Sequence, residues 1–349
     1  MKTLSGGLLA ALATIVLLQA APASAQEGKW RFAKPLPQPL GEIVGAVVDN
    51  KWYVMGGYDG ANVQPQGIVT QYDPASDSWT MKKNMLVPAH HAAAVALNGK
   101  IYVFGGFVGR PGAKGWGPIA NALEYDPAND SWKELAPMPT PRGSAQAVTV
   151  DGKIYVIGGA HANLPGKPSE PLWIGVPQIV TGTVEEYDPA TNTWRSRAPM
   201  PTGRNHFYAG VVDGKIYAIN GRLGNSFVTA SDVTDLVEQY DPKTDQWRYM
   251  GRAPTRRGDV SGDVHNGKLY VTGGEYENPD GKITFWAFQA FDPKTNTWQI
   301  LPHIPIARHG FAATFIGNDF HAAGGSFQSD GMPGIISQMP SHEVYTVAK

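Results

Sequence analysis

The stretch LEYDPANDSW, residues 123–132, returns four more times in barely altered form, as QYDPASDSW (71–79), EYDPATNTW (186–194), QYDPKTDQW (239–247) and AFDPKTNTW (290–298). The tryptophans that close these copies are 53, 62, 53 and 51 residues apart. Self-similarity at a fixed period marks a repeat architecture and outranks any local assignment. A second element recurs in register, a strand ending in glycines: KWYVMGG (51–57), KIYVFGG (100–106), KIYVIGG (153–159), KIYAING (215–221), KLYVTGG (268–274) and DFHAAGG (319–325). Asn220 replaces the first glycine in the fourth unit.

Each unit reads as four short strands. In the second unit these are strand a (HAAAVAL, 91–97), a turn at Asn98-Gly99, strand b (KIYVF), a variable loop, strand c (ALEY), a turn at Asp126-Pro127, and strand d (SWKEL). Asn-Gly and Asp-Gly supply the positive φ that two-residue hairpins need, and paired glycines let backbones approach closely. Forty-one glycines, 28 prolines, 10 tryptophans and 14 tyrosines in 349 residues suit many short strands joined by tight turns. The recurring Tyr and Trp are expected to be buried between neighbouring units.

The double glycine, Tyr-Asp-Pro and tryptophan at a period near 50 resemble the kelch repeat over essentially all of the chain after residue 25. The resemblance implies four-stranded blades of a β-propeller. The sixth unit begins at Pro305 and offers strands a, b and c, the last being HEVYTV (342–347), with no strand d after it. Trp30 in KWRFAKPLP (29–37) stands where a strand-d tryptophan belongs. The expected fold is therefore all-β, a six-bladed propeller over residues 26–349, its last blade closed by residues 29–36. Closure removes the exposed sheet edge.

Residues 1–25 read as a signal peptide: Lys2, the apolar run Leu8 to Leu18, and the small-residue site Ala23-Ser24-Ala25. The run is too short to span a bilayer. The expectation is a periplasmic or secreted monomer with no membrane insertion. Zero cysteines exclude a disulfide framework and thiolate chemistry, and a net charge of −1 lacks the basic footprint of a nucleic-acid binder.

In such a blade the a–b and c–d loops share one face and the b–c and d–a connections the other. The former are short and alike. The b–c loops are long and all different, as binding loops on a rigid scaffold usually are. The d–a connection carries Arg142, Arg204, Arg257 and Arg308 at one position, Ala89 and Leu40 taking it in units two and one. Just beyond come His90, His91, Asn205, His206, Asp259, His309 and Glu42. Because strand a is innermost, all of these are expected at the mouth of the central funnel. In some kelch adaptor proteins the matching arginines hold acidic ligands, which implies an anion site here. A neutral sugar stacked on Trp116, Trp173 or Trp286 is the alternative ligand.

The resemblance also extends to galactose oxidase, whose copper-radical site needs a cysteine that this chain lacks. Exported six-bladed sialic-acid mutarotases offer another comparison. For such a reaction His206, His309, Asp259 and Glu275 are the expected acid and base, with Arg204 or Arg308 as carboxylate clamp; the residues expected to bind the ligand are His91 and the four arginines. No metal and no other cofactor is expected, since His90 and His91 should diverge on a strand and no spaced histidine motif occurs. The leading expectation is a binding module for a carbohydrate or small anionic ligand. A sugar mutarotase or epimerase and a protein-interaction scaffold are the rivals. His321, at a strand-b tyrosine position, is expected to be a packed core histidine.

Overall fold

The computed structural model describes residues 28–59, 64–109, 116–162, 179–224, 232–278, 281–329 and 337–347. They form six four-stranded antiparallel sheets, and three of the long b–c loops add two-stranded ribbons. Blade 2 is typical: Ala93–Leu97, Lys100–Phe104, Ala122–Asp126 and Ser131–Glu134 pair in sequence order. The innermost strands, Val44–Val48, Ala93–Leu97, Gln146–Val150, Tyr208–Val212, Ser261–His265 and Ala312–Ile316, each touch the next around a closed ring. The proposed leader, residues 1–25, lies outside the described residues.

The ring closes as the sequence predicts. Trp30–Phe32 pairs antiparallel with His342–Thr346, with Trp30 opposite Tyr345. The strand is shorter than expected because Pro35 and Pro37 follow it, and proline cannot donate to a ladder. Two further backbone bonds, Ala33 N to His342 O and Leu36 N to Pro340 O, hold the segment in place.

The repeated motif is a clasp between blades. Tyr125 donates its hydroxyl to Asp130, which also accepts from the backbone N of Lys83 in the preceding blade. Trp132 Nε1 donates to Lys83 O at 3.0 Å. The same clasp recurs with Tyr72, Asp77 and Trp79 on Lys34, with Tyr187, Asn192 and Trp194 on Ala136, and with Tyr240, Asp245 and Trp247 on Ala198. Trp30 Nε1 reaches Pro302 O at 2.8 Å, so the N-terminal strand plays its part in blade 6. The tyrosines are fully buried, whereas the strand-d tryptophans lie on the outer strands and stay partly exposed, which corrects the expectation of burial for Trp132.

Apolar side chains pack between neighbouring blades, not at one centre. Tyr53, Met55, Val69, Ile101, Val103 and Tyr125 fill the space between blades 1 and 2, and Leu36, Trp52, Tyr72 and Ile316 that between blades 6 and 1. The first glycine of each pair permits this convergence: a Cβ on Gly105 (φ 59°) would stand 2.2 Å from Arg142 O. The axis is left as a channel of about 430 Å³ walled by the inner strands.

Candidate functional site

One residue per blade caps the channel on the face of the b–c loops: Glu42, His91, Ser144, His206, Asp259 and Gly310. All six have left-handed backbone, with φ between 50° and 62°. Five consecutive backbone bonds run round the ring, from Glu42 N to Gly310 O (2.6 Å), His91 N to Glu42 O (3.2 Å), Ser144 N to His91 O (2.8 Å), His206 N to Ser144 O (3.1 Å) and Asp259 N to His206 O (2.7 Å). Each donor belongs to the next blade, so the ring stitches the blades together at the axis. Left-handed φ disfavours most Cβ-bearing residues, Asn, Asp and His being the commoner exceptions. Here Glu and two histidines adopt it, and their side chains gather at the pole.

Two further positions per blade surround this cap. The residue before each cap residue forms an antiparallel bridge with the residue that follows the glycine pair: His90 with Phe107, Asn205 with Arg222, Gly258 with Glu275 and His309 with Ser326. Arg222 and Glu275 thereby face one another in a buried ion pair. His309 Nδ1 lies 2.7 Å from Asp259 Oδ2, 3.3 Å from Glu275 Oε1 and 3.5 Å from Glu42 Oε1, while its Nε2 meets Gln328 O at 2.9 Å. His91 Nε2 lies 3.0 Å from Glu42 Oε2, and His206 Nδ1 lies 2.5 Å from Asn205 Oδ1. His90 and His91 do not diverge; their Nδ1 atoms are in hydrogen-bond contact. The reason is local: His91 has φ 54° and precedes the strand, which starts only at Ala93, so strand alternation does not apply.

The four arginines are elsewhere. Arg142, Arg204, Arg257 and Arg308 are 0% exposed, beneath the inner strands and not on the funnel wall. Arg142 pairs with Glu185 at 2.5 Å, Arg204 with Glu238 and Arg308 with Glu343 at 2.5 Å, each acid coming from strand c of the same blade. They also cap the end of strand b, as Arg142 Nη2 does on Val156 O at 3.0 Å and Arg308 Nη1 on Gly324 O at 3.1 Å. A buried charge must be paired, and strand c supplies the partner that the sequence reading sought in a ligand. On strand c Arg257 meets the neutral Gln289, 3.2 Å away, beside the carbonyls of Ala287 and Val271, and burial pushes its guanidinium down to about 9.

The remaining expected residues divide. His91, His206, Asp259, Glu275 and His309 meet at the pole. Trp116 is half-buried against Tyr58 (ring centroids 6.0 Å apart, stacked) and edge-on to His90 (4.4 Å). Trp286 is exposed, and Trp173 falls outside the described residues.

Burial sets the charge states at the pole. Desolvation raises Glu42 to about 7, with the Asp259 charge adding to it. Desolvation lowers His206 to about 3 and takes His91 well below the usual histidine range. His309 goes the other way: burial would lower it, but its bonds and proximity to Asp259 and Glu42 raise it to about 10. Burial alone would raise Asp259; His206, the bond from His309 and the Arg222 charge instead hold it below the carboxylate range. The proton of the Asp259–His309 pair therefore sits on the imidazole.

Sequence models of the kelch motif match residues 42–86, 88–139, 203–253 and 256–304, and a second kelch-motif model matches 141–201. The chain belongs to the kelch-motif family. This kelch propeller is 29% identical over 314 residues to Kelch-like protein terF of Aspergillus terreus, covering 85% of this chain and 64% of that protein. It is 29% identical over 265 residues to Kelch-like protein 23 of Homo sapiens, covering 75% and 42%. The chain thus spans less than two thirds of either relative. Among solved structures YjhT superposes with a TM-score of 0.70 at 18% identity, over 90% of this chain and 99% of that one, a likeness of fold.

Within the kelch repeat, the candidate positions missed from sequence are Ser144 and Gly310 of the cap and Tyr58 and Arg222 after the glycine pair. A signal was available: the residue directly following each glycine pair varies as Tyr58, Phe107, Ala160, Arg222, Glu275 and Ser326 within an otherwise constant motif.

Proposed function

We propose that this kelch propeller binds a small, polyhydroxylated ligand, a carbohydrate, at the pole formed by the cap residues and the b–c loops, after export across a membrane and removal of residues 1–25. The observation that carries this reading is the convergence of Glu42, His91, His206, Asp259, His309 and the Arg222–Glu275 pair at the axis, each less than a tenth exposed. Such a mixture of fixed donors and acceptors suits hydroxyl groups, which do both. With the four blade arginines buried, three of them on acids and Arg257 on Gln289, the cations at the pole are Arg222, bonded to Glu275, and the protonated His309, bonded to Asp259. A neutral ligand therefore fits better than an anion.

A sugar mutarotase is the second reading, favoured by the 2.7 Å Asp259–His309 contact, which places a held proton beside acceptor groups. A protein partner is the third, favoured by exposed Leu223, Ile283, Trp286 and Phe327 in the b–c connections. The deciding experiment is NMR on a panel of neutral and acidic reducing sugars with the purified protein, following line broadening and anomeric exchange. Broadening lost in Asp259→Asn supports the carbohydrate reading, and accelerated exchange would make the protein an enzyme. Silence across the panel overturns both and leaves the partner reading. Mass spectrometry of the chain secreted or released from the periplasm should show Gln26 at its N-terminus; a retained leader would overturn the export proposal.

A further inference from the structure

We propose that Glu42, His91 and His206 hold a divalent transition-metal ion on the propeller axis, with Asp259 and His309 as the adjoining ligands. No metal was expected from sequence. The tertiary structure brings together one ligand atom each from Glu42, His91 and His206, all within 4.8 Å of one another, and the same holds for Glu42, Asp259 and His309. Ligand atoms about 2.1 Å from one ion stand roughly 3–4 Å apart, so small side-chain rotations complete the site. Glu42 belongs to both triplets and is the natural shared ligand.

Three observations independent of this proximity point the same way. The outer nitrogens of the histidines are already occupied. His206 Nδ1 is held by Asn205 Oδ1 at 2.5 Å and His309 Nε2 by Gln328 O at 2.9 Å. Bonds of that kind orient an imidazole whose other nitrogen binds a metal. The pole is rich in anionic donors: three buried carboxylates, Glu42, Asp259 and Glu275, gather round one guanidinium, Arg222, and outnumber the cations even with a proton held on His309. Finally, Glu275 Oε2 is buried with no hydrogen-bond partner while its Oε1 lies 3.3 Å from His309 Nδ1, an orphaned acceptor at the edge of the cluster. Gly310 keeps the space open, since a Cβ there would stand 2.6 Å from Glu42 Oε1.

Two or three imidazoles with carboxylates suit Zn²⁺, Co²⁺ or Fe²⁺, and leave open positions for a ligand oxygen. The inference rests on the pole being the functional site but needs no sugar for its test. The experiment adds Co²⁺ to chelator-stripped full protein, measuring stoichiometry by mass spectrometry of the metal, visible absorption, and paramagnetically shifted imidazole N–H signals. One ion per chain is expected, with shifted signals from two or more histidines. His206→Asn and Glu42→Gln should each weaken binding at least tenfold, while His342→Val, at a distant histidine pair, should not. Should a variant fail to fold, the wild-type signals decide alone. Binding below one ion per chain, absence of imidazole signals, or affinity indifferent to both substitutions overturns the proposal. A chain that binds cobalt but no sugar would sink only the carbohydrate reading.

Discussion

His321 Nδ1 lies 2.9 Å from His342 Nε2, inside the interface between blades 6 and 1. His342 Nδ1 is 3.0 Å from Lys34 O, a carbonyl that can only accept, so His342 carries its proton on Nδ1 and His321 donates to Nε2. His321 Nε2 is then a bare, buried lone pair with no hydrogen-bond partner, beside Trp52 and Tyr72. The chain from Lys34 through His342 to His321 ties the N-terminal segment to blade 6.

Acid should therefore loosen this seam. Burial lowers His321 to about 3 and His342 to about 4, the neighbouring imidazole reinforcing the effect at His321. Both folded-state values are below the unfolded one near 6.5, so the unfolded chain binds more protons between these limits. Stability is then fully present above about pH 6.5 and falls as pH drops toward 4 and 3, by on the order of a few kcal/mol. Thermal unfolding followed from pH 8 to pH 4 should show this loss, and the double variant His321→Tyr/His342→Val, which restores the residue types of blade 3, should make it shallower, the part due to His91 and His206 at the pole remaining. An unchanged curve in the double variant would place the acid sensitivity elsewhere.

Arg257 is the one blade arginine whose strand-c partner is an amide. In blades 3 and 4 a threonine donates to the carboxylate, Thr140 to Glu185 and Thr202 to Glu238, and Thr255 already bonds Gln289 at 2.7 Å. Gln289→Glu inserts the missing charge into a site built for it. An unpaired buried charge costs several kcal/mol, so the variant is expected to gain about 1–2 kcal/mol, read as a higher denaturation midpoint in urea with unchanged slope. A lower midpoint would show that desolvating the new carboxylate outweighs the pairing.

Trp132 tests the clasp. Trp132→Phe removes the bond to Lys83 O but keeps much of the packing against Tyr125 (centroids 4.8 Å), and should cost about 1 kcal/mol. Trp132→Ala should cost about 2–4 kcal/mol, less than a fully buried tryptophan would. Equal losses for the two variants in chemical denaturation would mean that the indole N–H, and not the ring, carries the effect.

Closure by Trp30–Phe32 predicts the largest effect. Trp30 packs against Phe288, Phe320 and Tyr345 with centroids 5.4–6.3 Å away and bonds Pro302 O. A chain begun at residue 38 loses this strand and exposes the edge of His342–Thr346. It should unfold at least about 10 °C lower and self-associate. Light scattering and calorimetry of the truncated protein check this; a monomer with unaltered unfolding would show that closure is dispensable.

The blade count, the strand order, the closing segment and the b–c face were all legible in the sequence, because each rests on a local pattern repeated at a fixed period. Left-handed hairpin turns, glycine pairs and the Tyr-Asp-Pro turn act over a few residues, and repetition copies them round the ring. Even the pole residues Glu42, His91, His206, Asp259 and His309 could be picked out, since the first four occupy one register position, and His309 the position before it, in blades that otherwise agree. Their partners could not. The arginines looked like ligand clamps until Glu185, Glu238 and Glu343, some 34–43 residues away along the chain, proved to hold three of them. The cap ring, the Arg222–Glu275 pair and the proposed metal ligands depend on contacts between different blades, which no single repeat encodes. Closing six sheets round an axis is what brings one side chain from each to the same few ångströms, and only there does burial set their charges.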